Sequence, residues 1–202
     1  MSSYNSRVAA SFGIISALMV LLNVIVVPVP PPIQYVGFAA VLIYFVGVMF
    51  KPARAFWLCA VGSTVGQILT SIYLGQMSTL VEYAVGAFVA RGGEGLLISG
   101  LVWVLIRKKK NPPLHQLGLE IAILCIGCTY EVLGYYIVGG PYDLIVSGIP
   151  LLVDLFAYLP TFIDMVFVPV GIAVIYAARR QFQMQYLDSY LFNDVVETPV
   201  AQ

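Results

Sequence analysis

Polar residues recur at one depth within several long apolar stretches of this sequence. An amide or ionisable side chain inside a bilayer is costly, and it usually faces a cavity or another polar group. Each stretch has one end beside basic residues. Counted from that end at about 1.5 Å per helical residue, six such polar residues lie about 20–24 Å along their stretches. We therefore predict an outward-facing polar cavity in a hydrocarbon core about 30 Å thick. The six residues are Asn23, Gln67, Arg91, Glu94, Glu131 and Asp164.

Helical spacing adds aromatic and acidic residues to the same faces. Cys128, Glu131 and Tyr135 follow one another at i, i+3 and i+7, and residues so spaced share a helix face. Carboxylates accept hydrogen bonds from a donor-rich ligand, and tyrosine rings stack on an aromatic or cationic one. The predicted substrate-binding residues are Gln67, Arg91, Glu94, Glu131, Tyr135, Asp154, Tyr158 and Asp164.

Two interpretations of the buried charges remain open at this point. Arg91 and Glu94 are i, i+3 neighbours, so they could neutralise each other as a structural clasp, or they could contact a ligand. Glu131 and Asp164 have no second cation inside the stretches, and a ligand, water or a proton must satisfy them. The excess of acids over one arginine favours a cationic or donor-rich ligand such as thiamin.

The remaining polar residues of the outer half are less informative. Asn23 fits an interhelical hydrogen bond as well as it fits a ligand contact. Glu82 and Asp143 lie near the predicted outer boundary, where we expect them to be solvated.

The elements that position these residues follow from composition and charge. The chain is 60% hydrophobic and 10% charged, far fewer charges than the roughly one quarter of a soluble domain. Basic residues occupy alternate breaks between the apolar stretches, which predicts that those breaks and both termini are cytoplasmic. We predict an all-α integral membrane protein of the plasma membrane: one bundle of six transmembrane helices over residues 1–180, in contact with lipid, and a cytoplasmic tail over 181–202. The predicted spans are 8–27, 35–50, 54–75, 82–106, 116–138 and 155–178.

Proline and glycine predict the connections. Pro28 and Pro30 to Pro32 indicate a stiff first outer loop, and Gly62 and Gly66 allow a close helix approach. Residues 139–150, with two prolines and three glycines, predict a long outer connection that could cap the cavity. Pro160 and Pro169 predict an interruption of the last span.

Several classes of function are not expected. His115 is the single histidine and the three cysteines lie within spans, so we expect no metal site and no cofactor. A net charge of zero gives no support for nucleic-acid binding. We expect no enzyme activity, because no nucleophile–base pair is evident, and the sequence has no phosphate-binding loop for ATP hydrolysis.

The order of short motifs resembles the S components of energy-coupling-factor (ECF) transporters, small membrane proteins that capture vitamins. The resemblance covers about residues 8–180 and includes the Pro-rich first outer loop. Its motifs are the small residues Ala9, Gly13 and Ala17, and the segments Ala90–Leu96, Tyr130–Tyr135 and Leu159–Pro160.

The resemblance implies a function and partners. It implies capture of a vitamin or related micronutrient in an outward cavity formed by the outer loops and the fourth to sixth spans. It also implies docking through Ala9, Gly13 and Ala17 to a transmembrane coupling subunit that works with two ATPase subunits. The alternatives are a stand-alone proton-coupled secondary transporter with Glu131 or Asp164 as proton carrier, and a structural subunit in which the acids only clasp helices.

Overall fold

The computed structural model describes residues 2–28, 35–107 and 113–181 of the chain, and these are almost entirely helical. Seven α-helices follow one another along these residues. Their bounds are α1 Ser2–Val24, α2 Ala39–Met49, α3 Pro52–Tyr73, α4 Leu80–Leu101, α5 Pro113–Ser147, α6 Leu151–Tyr158 and α7 Val168–Gln181. A π-helical turn, Val102–Arg107, extends α4, and 3₁₀ segments occupy Met77–Thr79 and Leu159–Phe167.

Within the described residues, four helical stretches are long and apolar enough to cross a membrane, as expected of a multi-pass membrane protein. They are Pro52–Tyr73, Met77–Arg107, His115–Val146 and Leu159–Gln181. Phe12–Val24 and Ala39–Met49 are shorter apolar helices. Helix α2 has 11 residues, about 16 Å at 1.5 Å per residue, which is less than the hydrocarbon thickness. Six spans and cytoplasmic termini therefore remain predictions, and the predicted tail after residue 181 lies outside the described residues.

A short β-hairpin joins α1 to α2 where the sequence predicted a proline-stiffened loop. Strand β1, Val26–Pro28, pairs antiparallel with β2, Tyr35–Gly37, and Pro28 lies opposite Tyr35. Residues 29–34 lie outside the described residues. We call the end of the bundle that carries this hairpin the hairpin end. The opposite end, with Lys51, Arg107 and Arg179, is the basic end.

The predicted long outer connection between the fifth and sixth spans is wrong. Helix α5 continues through Pro141 to Ser147, and residues 148–150 join it to α6, with Gly148 at a positive φ of 68°. Gly139, Gly140 and Pro141 would break a helix in water. In a membrane the helix tolerates them, because water does not compete for the backbone groups and neighbouring helices satisfy those that are freed.

The last span is interrupted as the prolines predicted. Leu159–Phe167 is a 3₁₀ segment with Pro160 in its first turn. Proline is tolerated there because a backbone N–H in the first turn has no partner within the helix. The interruption separates α6 from α7, so the two helices need not share one axis.

Helix α4 lies at the centre of the bundle and packs against α2, α3 and α5. Toward the basic end most of the buried side chains are apolar. Its largest fully buried side chains include Tyr44, Phe50, Leu58, Ile98, Leu124 and Ile175. Glycines bring helices close together as the sequence predicted for α3: a Cβ added to Gly66 would lie 2.5 Å from the Cβ of Asn23 on α1.

Replacing Gly134 by alanine is expected to destabilise the protein by about 1–3 kcal/mol. A Cβ at Gly134 would lie 2.8 Å from the Cα of Ala90, so α4 and α5 would have to separate beside Arg91. Gly118→Ala is the matched control, since a Cβ at Gly118 meets nothing within 4 Å. Thermal unfolding in detergent should show a lower Tm for Gly134→Ala alone. Equal melting of the two variants would contradict the close packing of α4 on α5.

Candidate functional site

Arg91 joins three helices in the middle of the bundle. Its Nε donates to Oε1 of Glu131 on α5 at 2.9 Å, and its Nη1 donates to Oδ1 of Asn23 on α1. The Glu131 side chain has no exposed surface, and that of Arg91 is 13% exposed. A charge-assisted hydrogen bond in such surroundings is strong and directional. Arg91 therefore ties α4 to both α1 and α5.

The ion pair of Arg91 corrects one sequence expectation. Arg91 and Glu94 were candidates for a clasp within α4, but Arg91 bonds instead with Glu131. Glu94 turns toward α5, where a Cβ at Gly127 would lie 3.4 Å from its Cγ. Helical spacing placed the two residues near each other, but it could not say which neighbouring helix each side chain meets.

Asn23 is held in place by the backbone around it. Its Nδ2 donates to the carbonyl oxygen of Met19 at 2.8 Å, and its own carbonyl oxygen accepts from the hydroxyl of Thr70 at 3.0 Å. The sequence left Asn23 between an interhelical hydrogen bond and a ligand contact. The structure shows the interhelical hydrogen bond, to Arg91.

Three acidic side chains surround the single arginine. Glu94, Glu131 and Asp164 are close enough to interact electrostatically with one another and with Arg91. Both carboxyl oxygens of Glu94 and Oε2 of Glu131 are buried and have no hydrogen-bond partner among the described residues. Buried polar atoms are nearly always hydrogen-bonded, so each exception calls for an explanation. These orphan acceptors are suited to a ligand that donates hydrogen bonds.

Tyr44 supports the same region from α2 and was not identified from the sequence. It is fully buried, and its hydroxyl donates to the backbone carbonyl of Asp164 at 3.0 Å. This bond ties α2 to the 3₁₀ segment that carries Asp164. The available signal was that Tyr44 is the one polar side chain within Ala39–Met49.

A layer of tyrosines lies between the acids and the hairpin end. Tyr135 packs with Ala87 and Ala90 of α4, and Tyr158 packs against this cluster. The Tyr158 hydroxyl donates to Oε1 of Glu82 at 2.7 Å. The prediction that Glu82 is solvated is wrong, since it is only 6% exposed. Its place in the first turn of α4 suggested a boundary position, but α6 folds over it.

The predicted binding residues thus fall into two groups. Arg91, Glu94, Glu131 and Asp164 lie together, with Tyr135 and Tyr158 toward the hairpin end. Gln67 is half-buried on α3 and takes no part in the hydrogen bonds described above. Asp154 belongs to α6, and its side chain lies outside the described part of the structure. Each remains a predicted binding residue.

The polar cluster is enclosed in this structure. The side chains of Glu94 and Glu131 have no exposed surface, so the acids lie together beneath the tyrosine layer. The predicted cavity that opens outward remains a prediction. A surface groove lies elsewhere, between α2 and α7, and is lined by Leu42, Phe45, Val174, Ala177, Ala178 and Gln181. Its apolar lining is unlike the predicted polar site.

A second buried ion pair, near the basic end, was missed by sequence reasoning. Arg179 on α7 donates to both carboxyl oxygens of Glu120 on α5, at 3.3 and 2.5 Å. Arg179 is 5% exposed, and it lies over the ring of Tyr176. The sequence indicated only a basic residue at a boundary, because Arg179 follows the last apolar stretch. Glu120 within the fifth stretch was the available signal for a partner.

Comparison with known proteins identifies the family. A sequence model of the ECF-type riboflavin transporter S component matches residues 4–181, which includes α2 to α7 and all but the first two residues of α1. No curated protein and no solved structure gives a significant match. The family is one of transporter components and not of enzymes. Because the match covers most of the chain and agrees with the apolar helical bundle, this protein belongs to the family of ECF-type riboflavin transporter S components.

Proposed function

We propose that this chain is the membrane subunit that captures riboflavin for an ECF-type importer of the cell membrane. The observation that carries the proposal is the family match over residues 4–181. The fold supports it, since the buried acids and the tyrosine layer come from α4, α5, α6 and the following 3₁₀ segment. Riboflavin combines an aromatic ring system with a chain of hydroxyl donors. The tyrosine layer suits the ring system, and the buried acids suit the hydroxyl donors.

The acids provide the acceptors that such a ligand needs. Glu94 and Asp164 would accept hydrogen bonds from ligand hydroxyl or ring N–H groups, and Oε2 of Glu131 would accept a further one, while its Oε1 stays bonded to Arg91. The ring of Tyr135 would stack on the aromatic part of the ligand. Arg91 then positions Glu131 and neutralises part of the acidic charge.

Two ligands, riboflavin and thiamin, fit the buried acids. The excess of acids favoured a cationic ligand such as thiamin, whereas the name of the family favours riboflavin. Both ligands offer hydrogen-bond donors to the same carboxylates. Parallel titration with riboflavin and thiamin therefore distinguishes the two ligands.

Reconstitution tests the proposed transport role. The purified chain would be inserted into liposomes with and without an ECF coupling module, which comprises the transmembrane subunit and two ATPase subunits. We expect uptake of riboflavin that requires both the module and ATP. Uptake by the chain alone, driven by a pH gradient, would support the stand-alone secondary transporter instead, which the family assignment does not favour.

The surface of α1 supports docking to the coupling subunit. Ala9, Gly13 and Ala17 are exposed on one face, while Met19 and Asn23 of the same helix are buried. A Cβ at Gly13 would meet nothing within 4 Å, so no described part of the chain fills the space beside it. Small residues let a partner helix approach closely.

Gly13→Leu is expected to abolish co-purification with the coupling subunit while leaving riboflavin binding unchanged. The added side chain would project into the space that a partner helix needs, and the chain's own packing would not change. Gly118→Leu is the control, because Gly118 is also exposed with nothing within 4 Å. If Gly13→Leu retains the complex as Gly118→Leu does, the α1 face is not the docking surface.

A further inference from the structure

The polar cluster is closed in different ways toward the two ends of the bundle. Between the polar cluster and the basic end, α4, α5 and α7 carry large, fully buried apolar side chains such as Ile98, Leu124 and Ile175. Toward the hairpin end the cluster is covered by Tyr135 and Tyr158. A ligand would have to disrupt many buried side chains to pass the first barrier. At the second barrier the described obstacles are Tyr135, Tyr158 and α6.

A hydrogen bond between helices fastens the second barrier. Tyr158 at the end of α6 donates to Glu82 on α4 at 2.7 Å. Glu82 precedes Arg91 by nine residues, about 14 Å along the helix. Tyr158 reaches α4 across Gly139 of α5, where an added Cβ would collide with the tyrosine hydroxyl. This close crossing gives the bond a defined geometry.

Helix α6 has the features of an element that can open. It has eight residues, joined at one end to residues 148–150 and at the other to the 3₁₀ segment. It packs against α5, and Leu152, Val153 and Phe156 are exposed on its other side. Segments with few buried contacts open more easily than the core, and 3₁₀ hydrogen bonds are poorer than α-helical ones.

We propose that the Glu82–Tyr158 hydrogen bond is a latch that holds α6 and the tyrosine layer closed over the polar cluster. Opening of the latch limits the rate at which ligand enters and leaves. The inference rests on the proposed function for the identity of the ligand. Because the same bond must break in the free and the bound protein, weakening it accelerates both directions and changes the affinity far less than either rate.

Stopped-flow measurements of riboflavin fluorescence with purified protein test the latch. Tyr158→Phe keeps the ring and removes the hydroxyl, and Glu82→Ala removes the acceptor. In each variant, association and dissociation of riboflavin should be about tenfold faster than in the wild type. This factor is the scale of one hydrogen bond to a charged group. The double variant should be no faster than the faster single variant. Tyr136→Phe is the control, since it removes a nearby hydroxyl of α5 outside the latch, and its rates should equal those of the wild type.

Other outcomes would overturn the latch. Faster dissociation with unchanged association would show that Tyr158 holds the ligand directly, and unchanged rates would show that α6 does not gate access. Hydrogen exchange of the α6 backbone amides without ligand gives an independent readout, and it should be about tenfold faster in Tyr158→Phe. If the wild type fails to bind riboflavin, the proposed function fails. Unchanged exchange would still overturn the latch on its own.

Discussion

Arg91→Met is expected to lower the free energy of unfolding by about 3–5 kcal/mol, because it leaves the carboxylate of Glu131 buried without its cation. The Glu131 side chain has no exposed surface and bonds to Arg91 at 2.9 Å. The substitution also removes the donor to Asn23, which ties α1 to the centre of the bundle. Chemical unfolding in detergent measures the loss, and Arg180→Met, at an exposed position of α7, is the control.

A double variant separates loss of the pair from loss of the arginine. Arg91→Met combined with Glu131→Leu should recover most of the stability, since an apolar pair of similar volume replaces a buried ion pair at little net cost. Equal stability of Arg91→Met and Arg180→Met would show that the ion pair does not hold α4 on α5. No recovery in the double variant would place the loss in the bond to Asn23.

Glu94→Gln is expected to weaken riboflavin binding by about 10- to 100-fold without destabilising the free protein. Both carboxyl oxygens of Glu94 are buried and have no partner among the described residues, so the substitution breaks no hydrogen bond of the chain itself. A ligand that donates to this carboxylate loses a charge-assisted bond, and such a bond contributes about 1.5–3 kcal/mol.

Asp143→Asn provides the matched control for Glu94→Gln. Asp143 lies near the hairpin end of α5 and is only half-buried. Its substitution should leave the affinity for riboflavin unchanged. Calorimetric titration gives the affinities, and thermal unfolding without ligand gives the stabilities. Unchanged affinity in Glu94→Gln would remove this residue from the binding site. A lower Tm of the free variant would indicate that Glu94 has a structural role instead.

The grouping of the polar residues follows from the sequence, whereas their depth in the membrane remains a prediction. Counting residues along a helix gives axial position, and Arg91, Glu94, Glu131 and Asp164 do lie together. The same count carries no information about the rotation of each helix about its axis. It therefore could not predict the hydrogen bonds of Arg91 to Glu131 and Asn23. Those bonds depend on how α4 packs against α1 and α5.

The errors at the boundaries have a related cause. Glu82 and Arg179 lie near the ends of apolar stretches, where solvation is the usual expectation, but α6 covers one and Glu120 pairs with the other. Pro141 and its glycines predict a turn by composition, yet α5 continues to Ser147. In each case a contact with a distant part of the chain overrides the local preference.

Equilibrium titration of the purified wild-type protein with riboflavin is the most direct measurement, with thiamin titrated in parallel. We predict saturable binding of one riboflavin per chain, with a Kd of about 1 μM or tighter, which corresponds to about 8 kcal/mol, and no comparable binding of thiamin. Tight binding of thiamin with none of riboflavin would contradict the assigned ligand. Absence of saturable binding by either would contradict capture of a vitamin by this polar cluster.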